Sequence, residues 1–510
     1  MRTGAPPAVV WTRARRPTAD DVAAVALGGA PVRLGDDLLG AIEAGHRETL
    51  TALGSAGAVY GVTTGQGHFA GRPLSDDEAA VHQRNLLLGR AVGSPPWLDE
   101  GEARAVLAVR LARFCLGRAG VSADLCRLLE DRLNDGFTPA IPRTGIGCAG
   151  EVIPLAHAFQ TLVGVGRVLA GDGGTEDAAA ALAARGVAPY APRPKEGIAL
   201  LAGSPGTLAL AIVRARECAA LADGMLEAAA CSLDASGVPL DAVSPAVAAL
   251  AGDPVLDGVI ARLGALLDGA GGDRTPSQGP TSFRVVPQVH AHLARTLCRM
   301  EEDAGRALGG SDDSPALADG GFVSTGAFHE NGLAAGMDAA AAALARTAET
   351  AAQRVHRMLD GRVTGLPDQL TPAPGPRAGL VVLHKRAVAA VVELRRRATP
   401  VSVGVADTSL GQEDVQSAGF AAAENLRAAA AYAREVTAIE LITARQAWWL
   451  RGSGPAPGLR AVATPLLDAV PPVDDDRPLG DDVSRVVALL HLREEGRRDG
   501  PLRCPTARTT

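Results

Sequence analysis

Tyr60, Cys148, Arg284 and the pair Gln412-Glu413 are the residues whose types and settings could do chemistry. Cys148 lies in RTGIGCAGEVIPLAHAFQ, residues 143–160, among Gly145, Gly147 and Gly150 and shortly before an apolar run that starts at Val152. Glycines there allow a backbone too twisted for residues with a Cβ, and Pro154 falls where a first helical turn tolerates it. A thiol at such a helix start has its thiolate favoured by the N-terminal dipole, whereas a buried thiol is an inert small hydrophobe. Both readings stay open on spacing alone. Tyr60 is one of 3 tyrosines and lies in a glycine-flanked loop, AVYGVTTGQG. Arg284, in SFRVVPQ, has apolar neighbours and needs an anionic partner. Gln412-Glu413-Asp414 precedes a long helix, and an acidic first turn explains it as well as a polar site does.

Several chemistries are excluded. Gly145 to Gly150 matches G-x-G-x-x-G, but Pro139 and Pro142 spoil the strand that a dinucleotide site requires before it. The 10 histidines offer no ligand cluster: His290 and His292 point to different faces of one helix, and His157 reads as a hydrogen-bonded core residue. The 7 cysteines (115, 126, 148, 218, 231, 298, 504) are scattered without C-x-x-C spacing, which argues against a disulfide frame or a zinc site. No metal is expected. A net charge of -7 gives no basic surface for nucleic acid. No apolar run approaches the roughly 20 residues that span a bilayer, and the first residues carry positive charge without an apolar core. The expectation is a cytoplasmic protein without membrane contact.

These residues need elements to hold them. At 47% apolar but 3% aromatic, the core must be built from Ala, Leu and Val. Val59, Tyr60, Val62 and Thr63 favour a strand leading into the mobile glycine loop. Helical periodicity covers 77–88 and 101–134, with a break near Gly117 to Gly120, and then 151–170. Long Ala/Leu/Arg helices follow over roughly 206–235, 287–308, 333–360, 377–397 and 417–451, separated by Gly/Pro-rich loops such as Gly269 to Pro280. The fold class is mainly α: a smaller N-terminal domain over 1–203, then a bundle of long helices over 204–510. The tail after Gly452 is expected to be partly ordered at best.

In order along the chain, these pieces resemble the aromatic amino acid lyase family, the histidine, phenylalanine and tyrosine ammonia-lyases and related aminomutases. YGVTTGQG at Tyr60 is similar to the family's tyrosine loop, QRNLLLGRAVG at Gln83 to its substrate-selectivity helix, and TGIGCAGEVIPLAH at Thr144 to its cofactor loop. KEGIALLAG at Lys195, SFRVVPQV at Ser282, STGAFHE at Ser324 and GQEDVQSAG at Gly411 complete the order. The resemblance implies an ammonia-lyase-like fold and a homotetramer whose active sites each draw on several subunits. It implies that Tyr60 is a catalytic base, Arg284 the substrate-carboxylate anchor, Phe328 a pocket wall, and Gln412 and Glu413 a polar pair near the substrate amine. Leu87 and Arg90, on the selectivity helix, are expected to face the substrate, Arg90 as an added cation.

The family's electrophile, methylidene-imidazolone, is made from an Ala-Ser-Gly triplet, and the triplet here is Cys148-Ala149-Gly150. Ala149 has no β-hydroxyl to eliminate. Ala202, Thr281, Ala327 and Gly411 also replace family residues around that group. No cofactor is therefore expected. The expectation is a lyase or isomerase without that group, not a standard aromatic amino acid ammonia-lyase, acting by elimination, addition or isomerisation on a carboxylate-bearing amino-acid-derived substrate. Tyr60, its pKa lowered by nearby positive charge, and Glu413 would move the proton. Nucleophilic catalysis by Cys148 and a non-catalytic binding scaffold are the alternatives.

Overall fold

The computed structural model describes residues 6–271 and 278–498. Part of the loop expected over 269–280, the end of the tail and Cys504 lie outside the described residues. The protein is mainly helical, with three small two-stranded sheets among the described residues. Val9–Trp11 pairs in parallel with Val32–Leu34, whereas Arg167–Leu169 with Thr175–Asp177 and Ala316–Ala318 with Gly321–Val323 are antiparallel ribbons.

The long helices run over Pro205–Ser236, Val286–Leu308, Asn331–Met358, Val381–Arg397 and Gly419–Arg451. Alanine and leucine, the strongest helix formers, supply both propensity and buried surface there. Bounds differ from expectation where backbone conformation overrides side-chain pattern. The fourth long helix starts only at Val381 because Gly379 takes a φ of +60°, and the last starts after Ala418, whose φ is +56°. The tail carries two helices, Arg460–Ala469 and Gly480–Arg498, so it is more ordered than its Pro/Asp/Arg content suggested.

Two compact units form, each from three stretches: 1–214, 300–337 and 401–424 make the first, and 215–299, 338–400 and 425–510 the second. A single cut after residue 203 does not describe this arrangement, because the chain returns twice to each unit. In the first unit, side-chain caps start the helices near the candidate residues. Ser75 and Glu78 form a capping box on Asp76–Leu88, and Asp99 and Glu102 form one on Glu100–Phe114. In the second unit Glu440 receives Arg354 Nε at 2.6 Å and Nη2 at 3.1 Å, a buried bidentate pair.

Three sequence readings need correction. No strand forms at Val59 to Thr63: the Val59 carbonyl accepts from the backbone N–H groups of Val62, Thr63 and Thr64, and Gly61 takes a φ of +67°, so the segment curls into a turn. The helix expected over 151–170 ends earlier. It spans Val152–Phe159, passes into a 3-10 turn over Gln160–Val163 and stops at Gly164, whose φ is +76°. An apolar run does exist: within Glu196–Ser236 a window reaches a mean hydropathy of 1.6, and 94% of it is buried inside the protein, as in a core helix.

The central loop enters through Arg143, whose Nη1 and Nη2 meet the Glu102 carboxylate at 3.1 and 2.6 Å. Arg214 joins the same carboxylate, and Glu102 is 2% exposed. Removing the carboxylate leaves two buried guanidinium groups short of a partner, so Glu102→Ala is expected to cost about 3–5 kcal/mol. Urea unfolding reads this as a lowered midpoint; an unchanged midpoint would contradict the clamp.

Candidate active site

The loop after Arg143 turns sharply at Gly145, with a φ of +78°, and delivers Cys148, Ala149 and Gly150 to the start of the helix Val152–Phe159. Its exit is fixed by Glu151, which is 2% exposed. The two Glu151 carboxylate oxygens accept from the backbone N–H groups of Gly206 and Thr207, each at 2.6 Å, at the open N-terminus of the helix Pro205–Ser236. Burial pushes this carboxyl up to about 7 despite those donors.

Ala149 and Gly150 form part of the wall of a cavity of about 290 Å³ that also holds Tyr60, Phe328, Gln412 and Glu413. The Tyr60 hydroxyl accepts from Gly67 N–H at 2.9 Å, which fixes the ring across its own glycine loop. Glu413 reaches the triplet directly: its Oε2 accepts from Ala149 N–H at 3.0 Å, and its Oε1 takes a long bond of 3.4 Å from Ser409. Beside Gly150, Gly203 has a φ of +83°, and a Cβ there would stand 2.0 Å from the Asp312 carboxylate, so glycine is required.

The structure changes the electrostatics read from sequence. The Tyr60 hydroxyl is pushed above its ordinary value, chiefly by burial and further by the Glu413 charge, while the Gly67 N–H and Arg90 pull it down. The expected lowering by positive charge is thus corrected, because loss of water around the phenol outweighs one cation. Cys148 is also corrected as a thiolate: burial pushes its thiol up to about 11, and its Sγ bonds to the Gly150 carbonyl at 3.2 Å. It is not among the residues lining the cavity.

The other candidates divide. Phe328, Gln412, Glu413 and Tyr60 come together in the cavity. Arg90 interacts electrostatically with both Tyr60 and Glu413. Leu87 is fully buried in its helix and lines nothing there. Arg284 lies exposed beside a separate cavity of about 600 Å³ in the second unit, with Gln278 and Gln288. Glu151 was missed as a functional residue, since its partners lie 55 residues away and only folding joins them. His157 accepts from Gly93 N–H at 2.9 Å, as a core histidine would. Among the described residues Cys115, Cys126, Cys148 and Cys231 carry free thiols.

The aromatic amino acid lyase family model matches residues 18–466. The histidine ammonia-lyase of Streptomyces coelicolor is 34% identical over 484 residues, 93% of this chain and 94% of that protein. Tyrosine aminomutase from Streptomyces globisporus superposes with a TM-score of 0.89 at 27% identity, covering 96% of this chain and 98% of the other. Ergothionase from Treponema denticola shares the fold, with a TM-score of 0.91 at 22% identity over 96% of this chain and 99% of the other. These findings overturn the expectation of a lyase or isomerase outside the standard ammonia-lyases, and they give no support to the description as cofactor-independent and lacking the family's prosthetic group. Relatives at 30–34% identity over most of the chain carry the name histidine ammonia-lyase.

Two titrations test the site. Because Glu413 raises and Arg90 lowers the Tyr60 pKa, Glu413→Gln is expected to move the ring-carbon NMR titration of Tyr60 down in pH, and Arg90→Leu to move it up. The same direction for both substitutions would contradict this charge arrangement. For Glu151 the folded pKa, about 7, lies above the ordinary value of 4.5, so its stabilising contribution is full below 4.5 and is lost as pH rises through 7. The stability of Glu151→Gln relative to the natural protein is expected to shift by about 3 kcal/mol across that window, in favour of the variant at the higher pH. A difference that does not change with pH would contradict it.

Proposed function

This chain belongs to the aromatic amino acid lyase family, and from that premise we propose that its Tyr60 cavity removes the amine from a carboxylate-bearing α-amino acid by β-elimination. In this reading the Tyr60 oxygen, as phenolate, takes the proton from Cβ. The Cβ–H electron pair becomes the double bond to Cα, and the α-ammonium group departs as the neutral amine. The products are a 2-enoate and an amine; the reverse direction is amine addition to the enoate. Glu413 serves as the partner acid or base near the amine, and Phe328 as an apolar wall. The observation that carries the reading is that a half-buried phenol and a carboxylate line one cavity beside Ala149 and Gly150.

Arg284 is not in that cavity's lining. As the anchor for the α-carboxylate it is supplied, in this reading, by a neighbouring subunit of a homotetramer. A cytoplasmic enzyme acting on small amino acids completes the proposal.

Members of the family carry methylidene-imidazolone formed from their own residues. Forming it takes a β-hydroxyl from the middle residue of the triplet. Here that residue is Ala149, whose side chain is a methyl group, and Cys148 stands one position too early with its sulfur on the Gly150 carbonyl. The residues present do not fit the group, and no step above runs through it. Intact-protein mass reads this directly. A chain unchanged at the triplet keeps the mass of its sequence, and a deficit of two waters would mean that a hydroxyl comes from elsewhere.

A substrate panel tests the proposal. It begins with L-histidine, for which the relatives are named, and includes L-phenylalanine, L-tyrosine and N-quaternised forms, whose tertiary amine leaves without activation. Product is followed by the ultraviolet absorbance of the conjugated enoate. Turnover is expected, and with the N-quaternised forms, whose leaving group keeps its charge at every pH, kcat/KM should still climb beyond the ordinary phenol value of 10.0, since burial holds the Tyr60 pKa above it. Tyr60→Phe should lower kcat/KM by about 10²–10⁴-fold. No product from any member, or a fully active Tyr60→Phe, overturns the proposal.

A further inference from the structure

We propose that Gln66 is a positioning residue for Tyr60: its side-chain amide, beside the Gly67 N–H, is a second donor to the phenolate oxygen that takes the proton. This rests on the elimination reading of the Tyr60 cavity and adds the group that favours the reactive form of its base.

The backbone fixes Gln66 against the phenol from both sides. Before it, Gly65 donates to the Arg72 carbonyl at 3.0 Å, and the Gly65 carbonyl accepts from Gly61 N–H at 3.3 Å. After it, Gly67 N–H is the group that reaches the Tyr60 hydroxyl, at 2.9 Å. Gln66 itself is extended, with a φ of -125° and a ψ of 155°, and it precedes the 3-10 turn Gly67–Phe69. Its carbonyl accepts from Phe69 N–H at 3.3 Å, and a Cβ on Gly65 would stand 2.5 Å from the Phe69 carbonyl oxygen. The turn is therefore tight, and the half-buried Gln66 side chain lines the same cavity as Tyr60 and Glu413.

The state of the amide says which end matters. Its Oε1 is buried without a hydrogen-bond partner among the described residues. An amide kept only to brace the loop would have that oxygen paired, because an unsatisfied buried acceptor is costly. The acceptor is left idle, so the nitrogen end is the one the position serves.

The phenol has a use for it. An ionised phenol accepts more than one hydrogen bond, and each donor favours the ionised form. Burial and the Glu413 charge both oppose ionisation of Tyr60, whereas Gly67 N–H and a side-chain hydrogen bond from Gln66 promote it. A neutral amide suits this wall. It holds the phenolate without forming an ion pair with the Glu413 carboxylate beside it, as lysine or arginine would.

Ring-carbon NMR titration of Tyr60 in the full-length protein tests the assignment. Gln66→Met, close in size but without a donor, is expected to move the Tyr60 titration up by about one pH unit, a tenfold loss of acidity. Gln66→Glu should move it up further, and Gln66→Lys, which restores an N–H donor, should bring it back down. Tyr190, whose hydroxyl donates to Glu196 at 2.7 Å, gives a signal in the same spectra that stays in place in every folded variant. At pH 8 Gln66→Met should lower kcat/KM by about three- to tenfold, less than the loss of phenolate because the phenolate that remains is the stronger base. A merely packing side chain would not move the titration. A Tyr60 titration that stays put or moves down in Gln66→Met overturns the proposal, whether or not any substrate is turned over. An upward move in a protein that turns over no member of the substrate panel supports the donor and overturns the elimination reading alone.

Discussion

The candidate site depends on a buried carboxylate clamp at each end of one glycine-rich loop. Glu102 holds Arg143 at the entry with Nη–O distances of 2.6 and 3.1 Å. Glu151 holds the exit by closing the N-terminus of the helix Pro205–Ser236 through Gly206 and Thr207. Between them the chain has little freedom, and Ala149 and Gly150 line the cavity. Such clamps give stability only while both partners stay in place, because each leaves an expensive buried charge or open donors if broken. The Ala149 N–H that results is held by Glu413, which links the loop to the segment 401–424 of the same unit.

Desolvation then decides the chemistry more than charge does. In the same pocket region burial raises the Tyr60 phenol, the Cys148 thiol and the Glu151 carboxyl together. For Cys148 the consequence is an inert thiol. For Tyr60 it is a phenol that stays protonated at neutral pH but becomes a stronger base once ionised, and the Arg90 charge favours that ionised form. An active-site group trades its population in the reactive form against its strength in that form, and Arg90 and Glu413 set the balance from opposite directions.

Much of the fold was legible in the sequence because it follows from local rules. Alanine- and leucine-rich periodicity located the long helices, and Pro and Gly marked most of their ends. What local rules could not supply was backbone conformation at single residues, such as the positive φ of Ala418, or the curl of Val59 to Thr63 into a turn against β-favouring side chains. At the site, Tyr60, Phe328, Gln412 and Glu413 were legible from their motifs and do meet in one cavity. The sign of the Tyr60 shift and the inertness of Cys148 were not, since burial is a property of the tertiary fold. Glu151 was hidden because a helix N-terminus 55 residues away gives it its role. Membership of the aromatic amino acid lyases followed from ordered motifs; distance from the standard ammonia-lyases, inferred from Ala149, did not survive comparison with the relatives.

The central claim is that Tyr60 exchanges a proton with the β-carbon of a bound amino acid, and solvent isotope exchange isolates that step from departure of the amine. L-Histidine incubated with the protein in deuterium oxide, followed by NMR of its β-hydrogens, is the direct measurement. The account predicts stereospecific loss of one β-proton signal with the natural protein and none with Tyr60→Phe. Retention of both β-protons with the natural protein, or equal exchange with the Tyr60→Phe variant, would contradict it.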